Sequence, residues 1–179
     1  MTRVWSLLLV SALVLQGCSH YHMGAGPAPS FATIYIPPTK NKTTIAQSQV
    51  TLTTLVRNAF MKDGRVEVVN DGADADATLT ITLSNYRRDN AANREDDNGL
   101  ARKFTLRLTA VMSLRDNRSG KMLFKDRVVE VQREAFVDNG LGSVPFGQSN
   151  DQLQSEYNTF PLLADLLASK ATHAVLDVW

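Results

Sequence analysis

The chain has 179 residues, with 19 Lys and Arg against 18 Asp and Glu, and 44% of it is hydrophobic. A formal charge of +1 excludes the strongly basic character of a nucleic-acid-binding domain, and the single cysteine excludes an intramolecular disulfide. The length suits one domain with a full hydrophobic core.

Arg3 precedes an apolar run from Val4 to Leu15, broken only by Ser6 and Ser11. That run is too short for a membrane span of about 20 residues and matches the apolar segment of a secretory signal. It ends in Leu15-Gln16-Gly17-Cys18, which resembles the bacterial lipobox. The resemblance implies cleavage before Cys18 and acylation of its thiol and new amine. Several acyl chains hold a domain at a membrane, while one alone binds reversibly. Ser19 stands where an Asp would imply inner-membrane retention, so delivery to the outer membrane, on its periplasmic side, is expected. The expected organisation is a signal peptide over 1–17, a lipidated N-terminus and flexible tether over 18–30, and a single domain over 31–179. Losing residues 1–17, Arg3 among them, takes the chain from 179 to 162 residues and leaves 18 basic and 18 acidic side chains.

Gly24, Gly26, Pro27 and Pro29 deny the tether regular structure. Phe31 to Ile36 reads as a strand, stopped by Pro37-Pro38, and Thr39 to Thr44 as a polar loop. A helix is expected from Gln47 or Ser48 to about Lys62, with Leu52, Leu55, Val56, Ala59 and Phe60 on one stripe. Gly64 suits the left-handed position that closes it. Arg65 to Val69 is a short strand and Asn70-Asp71-Gly72 a turn.

From Ala73 to Tyr86 the pattern alternates, with Ala75, Ala77, Leu79, Ile81 and Leu83 facing one way and Thr78, Thr80 and Thr82 the other. Arg87 to Gly99 reads as a long charged hairpin connection. Leu100 to Arg115 is the strongest strand, with Phe104, Leu106, Leu108, Ala110, Met112 and Leu114 on one face. Lys121 to Val137 is its antiparallel partner after the turn Asp116–Gly120. Its apolar phase slips between Phe124 and Val129, and a bulge near Asp126 accounts for that. Asp138 to Asn150 is a Gly-containing loop. A helix begins near Asp151 with Leu153 and Tyr157 on one side. Pro161 marks a kink or a new start that Thr159 could cap, and Leu162, Leu163, Leu166, Leu167, Ala171, Ala174, Val175 and Val178 form the apolar face after it.

The order β-α-β-β-β-β-α predicts an α+β domain: a two-layer sandwich with two helices packed on one face of a four- or five-stranded mixed sheet. No Gly-x-Ser-x-Gly, Gly-rich phosphate loop or metal-ligand spacing occurs, so no catalytic residue, metal or cofactor is assigned. His20 and His22 lie in the tether, and His173 reads as a helix-surface residue. Asp74 and Asp76 read as exposed carboxylates beside a turn. Charge is uneven: residues 85–135 hold 12 Lys and Arg against 8 Asp and Glu.

Several segments together resemble the LPS-assembly lipoprotein family LptE in a divergent, non-enteric form. They are Gly17-Cys18 with Tyr21 and Gly24, Ile34-Tyr35-Ile36-Pro37-Pro38 leading to Asn41-Lys42-Thr43, Ala59-Phe60 with Asp63-Gly64-Arg65, and Ala73 to Leu79. The strand pair 100–137, the Ser119-Gly120-Lys121 turn and a last helix ending in Trp179 complete the pattern. The resemblance implies a non-enzymatic plug and assembly aid inside an outer-membrane β-barrel, LptD, helping lipopolysaccharide reach the outer leaflet. The alternative is a structural or binding subunit of another envelope assembly, or a cell-wall-binding module. A polyanionic ligand would be met by Arg and Lys. The candidates are Arg87, Arg88 and Arg94 in the charged connection, and Arg102, Lys103 and Arg107 at the start of the next strand. Alternation places Lys103 and Arg107 opposite Phe104, Leu106 and Leu108, on the uncovered face, and the strand group is favoured because Glu95, Asp96 and Asp97 dilute the other. The contrary reading is that these side chains only keep an exposed sheet face soluble or line the barrel wall.

Overall fold

The computed structural model describes residues 29–45, 48–90, 102–137 and 148–177, with the backbone alone at 90, 102–103, 137 and 148–152. The signal segment, Cys18 and the tether up to residue 28, Arg94 with its neighbours 91–101, the loop 138–147 and Trp179 lie outside the described residues.

The elements in chain order are β1 (Thr33–Tyr35), β2 (Lys40–Asn41), α1 (Ser48–Asp63), β3 (Glu67–Val69), β4 (Ala77–Asn90), β5 (Arg102–Asp116), β6 (Met122–Val137) and α2 (Gln148–Leu176). The sheet runs β3-β1-β4-β5-β6, and β2 also pairs with β4. Six strands form rather than four or five. Pro37-Pro38 interrupts one extended segment, so β1 pairs with the start of β4 at Ile34↔Ala77 and β2 joins it further along at Lys40↔Thr82. Thr39, in the gap, is fully buried and anchors to α1, its amide donating to Thr53 Oγ1 at 2.9 Å. A parallel crossover joins β1 through α1 to β3, with Ile34↔Val68 in register.

Both helices cover one face of the sheet. α1 buries Ser48, Leu52, Val56 and Phe60, a spacing of four residues. Gly64 follows with φ +77° and its amide reaches back to Phe60 O at 3.2 Å, closing the helix. Leu79, Ile81 and Leu83 of β4 and Phe104, Leu106, Leu108, Ala110, Met112 and Leu114 of β5 form the sheet side of the core.

Three expectations need correction. β4 does not end at Tyr86 but continues to Asn90, pairing up to Asn90↔Phe104. A register shift between Leu83 and Asn85 inverts the parity, so the inward positions become Tyr86 and Arg88, and a strand with polar inward residues reads as a loop. Residues 148–176 form one helix, and Pro161 neither breaks nor restarts it. Pro161 is exposed, so the carbonyl of Tyr157 that loses its amide partner lies on the solvent side. The buried stripe of α2 is Leu163, Ala164, Leu167, Ala168, Ala171, Thr172, Val175 and Leu176, leaving Leu162 and Leu166 exposed.

The expected bulge is where the apolar phase slips. The β5–β6 register shifts around Leu114↔Phe124, and Asp126 adopts φ 53°, a left-handed conformation that Asp tolerates. Its amide donates to Ser113 Oγ at 3.1 Å. β6 is an edge strand, and α2 guards it: Lys170 Nζ donates to Glu130 O at 2.9 Å and Ser155 Oγ to Phe136 O at 2.8 Å.

Candidate functional site

The face of β4, β5 and β6 turned away from the helices is open, bordered along the β6 edge by Lys170 and His173 of α2. Its inner counterpart fixes which residues it carries. Because Leu106 and Leu108 are buried, Arg107 projects from the open side, directly opposite Arg87 of β4. Two like charges in register repel. Two carboxylates offset this. Arg107 Nη1 donates to Glu130 Oε1 at 2.8 Å, and its Nε reaches Asp89 Oδ2 at 3.4 Å. Glu130 also accepts from Thr109 Oγ1 at 3.1 Å. The Arg107 hydrogen bond holds Glu130 below its usual range, with Arg87 adding a smaller pull, and Glu130 in turn raises Arg107. The result is an exposed cluster of two guanidinium groups and two carboxylates, able to exchange a carboxylate partner for a phosphate.

The predicted cations do not all share this face. Arg88 points to the helix layer, where it pairs with Glu156 of α2. Tyr86 donates its hydroxyl to the other oxygen of the same carboxylate at 3.1 Å. Burial first, then the Glu156 charge, pushes the Tyr86 phenol above its ordinary range, so it remains a donor. Arg102 and Lys103 lie at register positions Arg102↔Val137 and Lys103↔Phe136; their side chains, with Arg94 and Cys18, fall outside the described residues. The partners Asp89, Glu130 and Glu156 were not singled out from sequence. Strand register brings Asp89 and Glu130 to Arg107, and the packing of α2 on the sheet brings Glu156 to Arg88.

Asp76, read as an exposed carboxylate, is a structural staple with a side chain only 14% exposed. Its Oδ2 accepts the amides of Ala32 and Thr33 at 2.9 and 3.1 Å, and its Oδ1 pairs with Arg118 at 2.5 Å. Those amides hold its pKa down. The point where the chain enters the fold is thereby tied to the β5–β6 turn. At the same end Arg65 joins the two helices: it pairs with Asp63 at 2.7 Å, with Asp177 at 2.7 Å, and donates to Leu176 O at 3.1 Å. A guanidinium on the last carbonyls of α2 complements the helix dipole. His173 sits on the surface with Nδ1 2.9 Å from Asp177 Oδ2. Among the described residues no group of three or more His, Cys, Asp and Glu could hold a metal ion, and no helix is long and apolar enough to cross a membrane.

A family model described as LptE, lipopolysaccharide-assembly, matches residues 31–173, from the first buried residue of β1's segment into the last turns of α2. The chain belongs to the LptE family. The LptE match therefore covers both layers of the sandwich. Among solved structures, a minor lipoprotein from Acinetobacter baumannii is 17% identical with a TM-score of 0.50, covering 83% of this chain and 92% of that one. A protein from Xanthomonas campestris is 14% identical with a TM-score of 0.52, covering 85% of this chain and 87% of that one. At these identities the likeness is one of fold. None of the curated proteins matches the chain.

Proposed function

We propose that this LptE-family chain is an outer-membrane lipoprotein that plugs and helps assemble an LptD-type β-barrel, aiding delivery of lipopolysaccharide to the outer leaflet. The observation that carries the reading is the family match over residues 31–173. In this reading residues 1–17 are removed, Cys18 carries acyl chains, and residues 18–30 tether a single domain to the periplasmic leaflet. No bond need be made or broken.

The polarity of the fold supports it. The chain enters at Ala32 and Thr33, beside Asp76 and the start of β4. Arg87 lies ten residues along β4 from Ala77, about 33 Å at about 3.3 Å per residue. A domain anchored at one end and carrying an arginine pair at the other can stand in a barrel lumen while its lipid stays in the surrounding leaflet. Arg87 and Arg107, with Arg102 and Lys103 next to them in strand order, are the proposed contacts for lipopolysaccharide phosphates. Arg88 takes a different role because Glu156 holds it on the helix side.

The test is purification of the native protein from detergent-solubilised membranes. A stoichiometric complex with a barrel of LptD type is expected. Recovery of the lipoprotein free of any barrel, under conditions that keep other barrel complexes intact, would overturn the reading.

A further inference from the structure

Three sizeable cavities among the described residues differ in lining. One is ringed by Lys62, Asp63, Asp165 and His173, another by Arg107, Glu130, Lys170 and His173. The third, of about 340 Å³, is apolar on most sides, with Ile45, Thr51, Tyr86, Glu156, Tyr157 and Phe160 around it. It exists because the helices differ in length. α1 has 16 residues and α2 has 29, about 24 and 43 Å at about 1.5 Å per residue. The N-terminal half of α2 continues past the start of α1 with no helix beside it.

We propose that this cavity takes one alkyl chain of an anionic amphiphile, with the phosphate of its headgroup at Arg88. The volume lies within the range of about 300–1,000 Å³ typical of small-molecule sites. Its one charged wall residue, Glu156, is already satisfied on both oxygens, by Tyr86 and by Arg88. The polar end is thus closed and neutral, and does not oppose an apolar occupant. Arg88 is 42% exposed and spends one Nη1 hydrogen bond on Glu156, while a guanidinium carries five N–H donors. The remaining donors can bind a phosphate bidentately. Leu153 and Tyr157, four residues apart on α2 and 61% and 75% exposed, extend the apolar wall outward from the cavity. An apolar slot beside an arginine complements a chain joined to an anionic head. The inference rests on the lipopolysaccharide-assembly reading only in choosing a phosphate-bearing lipid as the ligand class.

The probe is dodecyl phosphate, kept below its critical micelle concentration and titrated calorimetrically into the purified full chain held in zwitterionic nanodiscs, with empty nanodiscs as the reference. Saturable binding of one molecule per chain is expected. Shortening the alkyl chain should weaken it about fourfold for each methylene withdrawn from the cavity, following about 0.8 kcal/mol per buried CH₂. Thr51→Phe, which fills the cavity, should abolish binding with an unchanged circular-dichroism spectrum. Arg88→Gln should weaken dodecyl phosphate but not dodecyl maltoside. Absence of saturable binding, affinity independent of chain length, or full binding by a folded Thr51→Phe variant would each sink the proposal. Barrel co-purification is independent of all three measurements, so failure here and failure of the barrel reading are told apart.

Discussion

Arg87 of β4 and Arg107 of β5 stand directly opposite each other on the open face of the sheet, and Glu130 of β6 stabilises the pair by bonding Arg107 at 2.8 Å. Removing that carboxylate should therefore move two properties in opposite directions. Glu130→Gln leaves both guanidinium groups less compensated, so thermal stability should fall while lipopolysaccharide binding by the purified protein tightens. The double variant Arg87→Gln, Arg107→Gln should bind more weakly and with a flatter salt dependence. If Glu130→Gln and the double variant bind alike, the open face is not the phosphate contact.

Arg65 links the end of α1 to the last carbonyls of α2 through Asp63, Asp177 and Leu176 O. Arg65→Met keeps much of the aliphatic stem and deletes the charge. We expect a loss of about 1–2 kcal/mol, the scale of a partly buried cation at a helix C-terminus. For a domain of this size that is a fall in Tm of roughly 2–8 °C. Urea denaturation should show the midpoint shift with an unchanged slope.

Pro161 lies inside α2 and on its exposed side. Pro161→Ala restores an amide to a helix interior at little cost in packing. The gain should be about 1–2 kcal/mol, since an interior proline costs up to about 3 kcal/mol and a proline's smaller unfolded-state entropy returns up to about 1. A lower denaturation midpoint in the alanine variant would show that the helix bends at this position for a packing reason.

Asp63, Asp76, Asp116, Glu130 and Asp177 all have folded pKa values below their ordinary ones, 3.8 for Asp and 4.5 for Glu. A depressed carboxylate contributes stability that is fully present above its unfolded pKa and is lost as pH falls through the folded value. Stability attributable to these groups should therefore be flat from neutrality down to about pH 5 and should decline below about pH 4. Asp76→Asn should lower Tm at pH 7 and reduce the acid-side slope, because a neutral amide oxygen accepts weaker bonds than a carboxylate from Ala32 N, Thr33 N and Arg118. An unaltered slope would show that Asp76 is not among the titrating groups.

Lipidation is read from Leu15 to Cys18. Intact mass of membrane-extracted protein should show loss of residues 1–17 and addition of acyl chains, and Cys18→Ala should lack those chains. A native protein with an unmodified Cys18 would remove the anchor from the proposed function.

The sequence by itself determined the two-layer sandwich. Leu79-Ile81-Leu83 and Phe104-Leu106-Leu108 alternate at period two, and Leu52, Val56 and Phe60 recur at period four, so each element declares its buried side locally. The slip near Asp126 was legible for the same reason, because apolar residues on both sides of it kept score of the phase. Ser84 left no such trace. The inward residues after it are Tyr86 and Arg88, polar side chains whose place on the helix side depends on Glu156, 68 residues further along from Arg88. Only pairing with β5 shows that the strand continues and that Arg87 and Arg88 part to opposite faces. Leu162 and Leu166 belong to the same apolar run as Leu163 and Leu167, and composition cannot say which sector of α2 meets the sheet. That choice is made by contact with β6, β5 and α1, because a helix apolar over much of its circumference can bury any one side, and the tertiary partner selects it.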